Sequence, residues 1–177
     1  ELDVSLGTSC RNSGVLHSGI NYKPGTLRAE LAVRGNAMMD DLCRDLKVKI
    51  RRIGKLTVAL DRDDLPGIER LHAQGQANGV PGLEIIGPAR MRQIQPDVQG
   101  IAALWSPTSA IISPYGLTIA LAENAKANGV DIRLDWPVAN VNVLPQGRGF
   151  EVRNDRGDML TCRVLVNAAG LFAAKIC

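Results

Sequence analysis

The chain has 177 residues, of which 45% are hydrophobic and 22% charged, and its formal net charge at pH 7 is +3. These values are typical of a folded globular protein and exclude an intrinsically disordered chain. Aromatic residues make up only 3% of the sequence and the basic residues form no long run, so we expect no nucleic-acid partner.

The four cysteines are widely spaced and only two histidines accompany them, so we expect no metal site. No apolar run approaches the roughly 18 residues that span a bilayer, and no charged-then-apolar leader is present, which predicts neither a membrane span nor a signal peptide. The cytoplasm is the expected location, with attachment to a membrane through a partner left open. Because the sequence starts without methionine and stops inside a predicted helix, we expect an internal piece of a longer protein.

The segment of residues 8–22 collects hydroxyl groups, an amide, an arginine and a histidine around a short apolar run. Gly14 and Gly19 permit positive φ and close approach of the backbone to a ligand, and short polar side chains beside adjacent N–H groups can hold an anion. The pattern predicts a site for a phosphate-bearing cofactor. The alternative is a polar turn that leads into a buried strand over residues 15–20.

A long helix is predicted after the turn at residues 23–25, because Thr26 can cap it and apolar residues recur at helical spacing as far as Leu46. Gly35 and Asn36 in the middle of this helix indicate close packing against a neighbour, with contact to a ligand as the alternative. The basic residues between positions 47 and 55 are interpreted as a solvated face, with Lys55 pointing into a cleft as the alternative.

The remaining elements follow from alternation, helix caps and turn residues. The strands at residues 101–105 and 110–112 form a predicted pair around the turn at 106–109, and the last three strands form a predicted antiparallel meander. Predicted strands cover residues 47–53, 56–60, 83–86, 101–105, 110–112, 130–134, 137–144, 149–154 and 159–166. Predicted helices start at residue 63 or 64 and end at 76, run from 89 to 94, and extend for about 14 residues from the cap at Ser113.

The strands between residues 47 and 113 do not alternate regularly with helices, so we expect a mixed α/β (α+β) fold with a mostly antiparallel sheet, from about residue 48 to 112, covered by helices. The final apolar run from Arg163 is expected to be a strand that turns through Ala168, Ala169 and Gly170 into a helix. Such a junction can bind a pyrophosphate, although many buried junctions share the pattern.

Two motifs, residues 8–19 and Val166-Asn-Ala-Ala-Gly170, resemble those of FAD-dependent oxidoreductases of the D-amino-acid oxidase superfamily. Supporting matches lie at residues 21–28, 53–56, 78–79 and 113–122, so the resemblance covers nearly the whole chain. Within the superfamily the sequence is most similar to the anaerobic type of glycerol-3-phosphate dehydrogenase and to the L-2-hydroxyglutarate oxidases and dehydrogenases.

The resemblance implies a fragment of an FAD/NAD(P)-binding-type fold, in which residues 1–46 and 136–177 belong to the FAD lobe and residues 47–135 form the substrate-binding domain. The family's Gly-x-Gly-x-x-Gly fingerprint is absent before residue 8. We therefore expect the chain by itself to carry no stoichiometric FAD and to be inactive.

The resemblance also implies roles for single residues. His17 is the implied catalytic residue, a base or hydrogen-bond partner for the substrate hydroxyl near the isoalloxazine, with a structural histidine in a buried strand as the alternative. Val138 is expected to contact the adenine region through its backbone. Ala168, Ala169 and Gly170 are expected to approach the phosphates. The implied flavin and pyrophosphate residues are Ser9, Arg11, Asn12, Ser13 and Gly14, and the substrate-side candidates are Tyr22, Lys55 and Tyr115.

The activity implied by the resemblance is oxidation of a small anionic secondary alcohol, first sn-glycerol 3-phosphate to dihydroxyacetone phosphate. L-2-hydroxyglutarate is the second candidate substrate. A non-catalytic ligand-binding domain of the same fold would also account for the sequence pattern. A flavoenzyme that modifies nucleic acid is disfavoured by the weak basic character of the chain. The electron acceptor, a partner subunit or a quinone, stays open.

Overall fold

The computed structural model describes residues 1–176, which form four α-helices and nine β-strands. The helices are α1 (Leu27–Asp45), α2 (Leu65–Ala77), α3 (Pro88–Ile94) and α4 (Pro114–Ala127). The strands are β1 (Val15–Leu16), β2 (Ile50–Arg51), β3 (Lys55–Ala59), β4 (Glu84–Ile86), β5 (Ala102–Ser106), β6 (Ala110–Ile112), β7 (Val138–Val143), β8 (Phe150–Asn154) and β9 (Met159–Cys162). Short 3₁₀ helices cover Thr8–Cys10, Arg62–Asp64, Pro145–Gly147 and Gly170–Lys175.

The strands form three antiparallel sheets of three strands each, in the orders β1-β6-β2, β3-β5-β4 and β7-β8-β9. The mixed α/β class, the antiparallel pairing and the terminal meander are therefore confirmed. The predicted sheet between residues 48 and 112 is divided in two, because β5 and β6 pair with different strands and not with each other. The turn after Ser106 carries the chain from one sheet to the next.

Side-chain caps begin α1 and α4 where the sequence predicts them. The hydroxyl of Thr26 accepts a hydrogen bond from the N–H of Ala29, and that of Ser113 accepts one from the N–H of Gly116. Pro114 occupies the first position of α4, where its missing N–H costs no helical hydrogen bond. These local signals explain why both helices are confirmed.

Strand β5 lies at the centre of the hydrophobic core, because its successive side chains point to opposite faces of the sheet. Leu104 packs in a cluster with Ile68 of α2, and the neighbouring Ala103 packs in a second cluster with Met91 of α3. Each of these four side chains is at most 3% exposed. The sheet β3-β5-β4 is therefore covered on its two faces by two different helices.

Several predicted strands are shorter than expected or absent. The strand given as the alternative over residues 15–20 ends at Leu16. The strand expected over residues 47–53 is reduced to Ile50–Arg51, and residues 130–134 form no strand. The last predicted strand ends at Cys162, so the expected strand-to-helix junction at Ala168–Gly170 is wrong, and Gly170 instead begins a 3₁₀ helix. Val164 and Val166 are 77% and 79% exposed and pair with no strand among residues 1–176.

None of the helices in residues 1–176 combines the length and the apolar character needed to cross a bilayer. Residue 177 lies outside the described part of the chain, so the structure does not test the contribution of this cysteine.

Candidate functional site

The polar segment of residues 8–14 forms a compact loop, called here loop 8–14, that packs against the start of α4. The side chain of Asn12 closes the loop, because its Nδ2 donates to the carbonyl of Ser9 at 2.9 Å and its Oδ1 accepts from the N–H of Gly14 at 2.9 Å. Gly14 has φ +68°, and a Cβ there would lie 2.4 Å from the carbonyl oxygen of Ile112. Only glycine therefore lets the loop approach the junction of β6 and α4 so closely.

Loop 8–14 presents its polar side chains to solvent. Ser9, Arg11, Asn12 and Ser13 are exposed, and Tyr115, which is 54% exposed, lies on the first turn of α4 beside the loop. Hydroxyl, amide and guanidinium groups are donors that bind phosphate oxygens. The donor set of the loop thus fits the phosphate side of a dinucleotide.

His17 follows β1, at the point where the chain leaves the sheet. Its side chain is exposed, while its carbonyl oxygen accepts a hydrogen bond from Nδ2 of Asn36 at 3.0 Å. The next residue, Ser18, is buried, and its hydroxyl accepts from that of Ser106 at 2.8 Å. The backbone at His17 is thus held by buried groups while the side chain is exposed, and His17 lies just outside strand β1.

Arg52, interpreted from sequence as part of a solvated face, is instead half-buried and makes hydrogen bonds to three residues. Its Nη1 donates to Oδ1 of Asn36 at 2.7 Å and to the carbonyl of Thr108, and its Nη2 donates to the carbonyl of Asn36 at 2.8 Å. Its Nε and Nη2 also bind the carboxylate of Asp40, at 2.8 to 3.2 Å. Arg52 therefore joins α1 to the turn between β5 and β6.

A cleft of about 340 Å³ opens beside this arginine and reaches the segment that follows His17. The hydroxyl oxygen of Thr108 is buried there and has no hydrogen-bond partner in the part of the chain that the structure describes. The cleft is lined by Ser18, Asn36, Asp40, Arg52, Pro107 and Thr108, among others. Sequence reasoning missed this cluster, and its one signal was Asn36 in the middle of a long helix.

Cys43 is buried one helical turn from Asp40, on α1. Burial raises the pKa of its thiol, the carboxylate of Asp40 raises it further, and the guanidinium of Arg52 opposes the rise. The thiol is therefore held in its neutral form and is a poor candidate for a nucleophile.

The three substrate-side candidates lie in different surroundings. Lys55 is half-buried on β3 and pairs in register with Ser106, whose hydroxyl contacts the residue after His17. Tyr115 lies beside loop 8–14, whereas the ring of Tyr22 packs under the guanidinium of Arg28, 5.6 Å from its centroid. The fold thus brings Lys55 toward the segment of His17 and Tyr115 toward the loop.

The residues expected at the adenine and phosphate end lie in two segments of the C-terminal region, at the start of β7 and at the start of the last 3₁₀ helix. Val138, the first residue of β7, lines a cleft of about 200 Å³ that is closed on its other side by Lys175 and Ile176. Ala168, Ala169 and Gly170 lead into the 3₁₀ helix that contains Lys175. The cleft is therefore lined by β7 and by the end of this 3₁₀ helix, and Ala168, Ala169 and Gly170 are not among the residues that line it.

Comparison with known proteins decides the family. A family model described as FAD dependent oxidoreductase (DAO) matches residues 1–177. The chain belongs to this family. FAD is the cofactor that defines the family. The present chain is 39% identical, over 178 residues and 99% of its length, to a glycerol 3-phosphate dehydrogenase of Caloramator mitchellensis.

Two further relatives support the fold of this DAO chain. It is 30% identical, over 99% of its length, to the mitochondrial L-2-hydroxyglutarate dehydrogenase of Mus musculus. It also superposes, with a TM-score of 0.78, 25% identity and 88% coverage, on 41% of an L-α-glycerophosphate oxidase from Mycoplasma pneumoniae with FAD bound. The chain spans 36% and 40% of the lengths of the two curated relatives.

Proposed function

We propose that this chain forms the substrate side and part of the FAD side of a dehydrogenase that oxidises sn-glycerol 3-phosphate to dihydroxyacetone phosphate. The observation that carries the proposal is the 39% identity to a glycerol 3-phosphate dehydrogenase over nearly the whole chain, against 30% to an L-2-hydroxyglutarate dehydrogenase. L-2-hydroxyglutarate remains the second candidate because both relatives match the same residues.

In this proposal His17 accepts the proton of the substrate hydroxyl. Its imidazole is exposed, and its backbone carbonyl is held by Asn36, so the base is accessible on a fixed support. FAD, when bound, supplies the acceptor for the hydride that leaves the carbon bearing this hydroxyl. A positioned general base contributes about 10² to 10⁴ in rate, so His17 accounts for a large part of the chemistry assigned to the protein itself.

We propose that different elements bind the pyrophosphate of the cofactor and the anionic group of the substrate. We assign the flavin and pyrophosphate side to loop 8–14, the phosphates to Ala168–Gly170, and the adenine region to the backbone of Val138. For the substrate we assign Lys55, Tyr22 and Tyr115, with Lys55 as the cation that attracts the phosphate or carboxylate. Lys55 is half-buried and pairs in register with Ser106, whose hydroxyl contacts Ser18, and this placement supports the role.

The three segments of the chain keep their proposed division: residues 1–46 and 136–177 in the FAD lobe, and residues 47–135 in the substrate-binding domain. Pairing of β1 with β6 joins the first segment to the second through one sheet. We further propose a cytoplasmic enzyme that passes its electrons to a partner subunit or a quinone.

Anaerobic reduction of the flavin tests the proposal on the whole protein that contains this chain. sn-Glycerol 3-phosphate is expected to bleach the flavin absorbance, and L-2-hydroxyglutarate is expected to do so at least about tenfold more slowly, which corresponds to 1.4 kcal/mol of barrier. The reverse order would replace the substrate but keep the activity class. A flavin that dithionite bleaches and neither alcohol does would favour the non-catalytic ligand-binding domain.

A further inference from the structure

Two asparagine side chains hold the segment of residues 17–22 from two different helices. Asn36 of α1 donates through Nδ2 to the carbonyls of His17 and Thr108, each at 3.0 Å. Asn78, at the end of α2, donates through Nδ2 to the carbonyls of Gly19 at 2.9 Å and Tyr22 at 2.7 Å. The two residues make the same type of contact a few positions apart.

The two asparagines differ in what orients them. The Oδ1 of Asn36 accepts from Nη1 of Arg52 at 2.7 Å, and its backbone carbonyl accepts from Nη2 of Arg52 at 2.8 Å. The Oδ1 of Asn78 is buried and has no hydrogen-bond partner among residues 1–176. Asn36 is therefore fixed by a charged group and Asn78 is not.

The donors of Arg52 are all in use. A guanidinium has five N–H donors, and here two point to Asp40, two to Asn36 and one to the carbonyl of Thr108. An anion could bind Arg52 only by displacing one of these partners. The arginine is thus arranged to orient its neighbours and not to receive a substrate phosphate.

We propose that Asn36, oriented by Arg52, is a positioning residue that fixes the backbone at His17 and so sets the direction of its imidazole. Asn36 is 5% exposed, and it binds the carbonyl of the residue whose side chain faces outward. Misplacement of a reacting group by about 1 Å costs about 10²-fold in rate. The inference rests on the proposed function, because it assumes that His17 acts on the substrate.

The experiment compares Asn36→Ala with the matched variant Asn78→Ala in the whole flavin-loaded protein. At saturating substrate, we expect Asn36→Ala to lower the limiting rate of anaerobic flavin reduction by about 10²-fold. Asn78→Ala frees the backbone at Tyr22, a proposed substrate contact, so it is expected to change the substrate concentration needed for half the limiting rate and to leave the limiting rate within about threefold. Arg52→Lys keeps the positive charge beside Asp40 but loses the fork that orients Asn36, and it is expected to lower the rate in the same direction. Equal rate losses in both asparagine variants would overturn the proposal.

A second measurement reads the imidazole directly, without turnover. The Cε1–H resonance of His17, assigned by its loss in His17→Gln, is expected to shift in Asn36→Ala and to stay in place in Asn78→Ala, with His72 as the reference in the same spectra. An unshifted resonance in Asn36→Ala would overturn the inference.

A failure of the proposed role of His17 as the base can be distinguished from a failure of the positioning role of Asn36. If His17→Ala reduces the flavin within about threefold of the wild-type rate, His17 is not the base, because that change is under about 1 kcal/mol of barrier. In that case the resonance of His17 alone decides whether Asn36 holds its backbone.

Discussion

The region between residues 20 and 110 and the C-terminal region after residue 137 are stabilised in different ways. All but Val152 of the buried hydrophobic side chains that the structure describes lie between Ile20 and Ala110. In the C-terminal region, by contrast, Val143 and Leu171 are 73% and 83% exposed. The first region has its own core, and the contacts that hold His17 belong to it.

The buried polar side chain that the structure describes in the C-terminal region, Asn154, bonds to its neighbours in sequence. Asn154 is 4% exposed, and its Oδ1 accepts from the N–H groups of Arg156 at 3.0 Å and Asp158 at 2.8 Å. Its Nδ2 donates to the carboxylate of Asp158 at 2.7 Å. An asparagine that bonds to the backbone two residues further on is a common turn signal, which explains why the meander follows from the sequence.

The largest difference between the two regions is expected for the same substitution made once in each. Leu104→Ala removes a side chain that is 0% exposed at the centre of β5, and it is expected to lower the free energy of unfolding by about 2 to 5 kcal/mol. Leu171→Ala, at an exposed position, is expected to change it by less than about 0.5 kcal/mol. Urea denaturation of each variant gives both values, and equal losses would show that the C-terminal region has a core of its own.

A second pair of variants separates backbone conformation from packing. Gly54 and Gly157 have φ of +69° and +88°, so alanine at either position costs about 1 to 2 kcal/mol of conformational energy. At Gly54 a Cβ would also lie 1.9 Å from the ring of Trp105, whereas at Gly157 it would meet no atom within 4 Å among residues 1–176, apart from the adjoining residues of the chain. Gly54→Ala is expected to cost about 1 to 3 kcal/mol more than Gly157→Ala.

Thermal or urea unfolding of the two glycine variants measures that difference. If both variants lose the same stability, then the ring of Trp105 moves aside without cost, and the central region is more plastic than its burial indicates. The fluorescence of Trp105, read with Trp136→Phe in both proteins, reports such a movement in Gly54→Ala, because the indole would enter a different environment.

The sequence predicts those parts of the structure that local chemistry determines. Thr26 and Ser113 are caps that act on N–H groups three residues away, so the starts of α1 and α4 are predicted correctly. The prediction of a strand over residues 130–134 was wrong. A strand needs a neighbouring strand to pair with, and the sequence of one segment does not reveal whether such a neighbour exists.

The candidate site shows the same limit. The composition of loop 8–14 points to an anion, and the polar contacts that close it are local. The contact from Asn36 to the carbonyl of Thr108 joins residues 72 positions apart. Nothing in the sequence distinguishes Arg52 from the other basic residues between positions 47 and 55. Only the fold brings these groups together, so neither their burial nor their pairing could be derived from spacing.

The smallest expected effect is a loss of stability at alkaline pH that is caused by one buried thiol of the central region. Burial, with the nearby carboxylate of Asp40, raises the pKa of the Cys43 thiol, so the folded state binds this proton more tightly than the unfolded state. The resulting stabilisation is complete below the ordinary pKa of a thiol and is lost as the pH rises above it. Between about pH 7.5 and 9.5, wild type is therefore expected to lose more stability than Cys43→Ala.

Cys162→Ala, in the half-buried strand β9, controls for removal of a thiol, and urea midpoints at the two pH values measure the difference. Equal pH dependence in wild type and Cys43→Ala would mean that water reaches the thiol, and hence that the packing of α1 beside Arg52 is looser than its 1% exposure indicates.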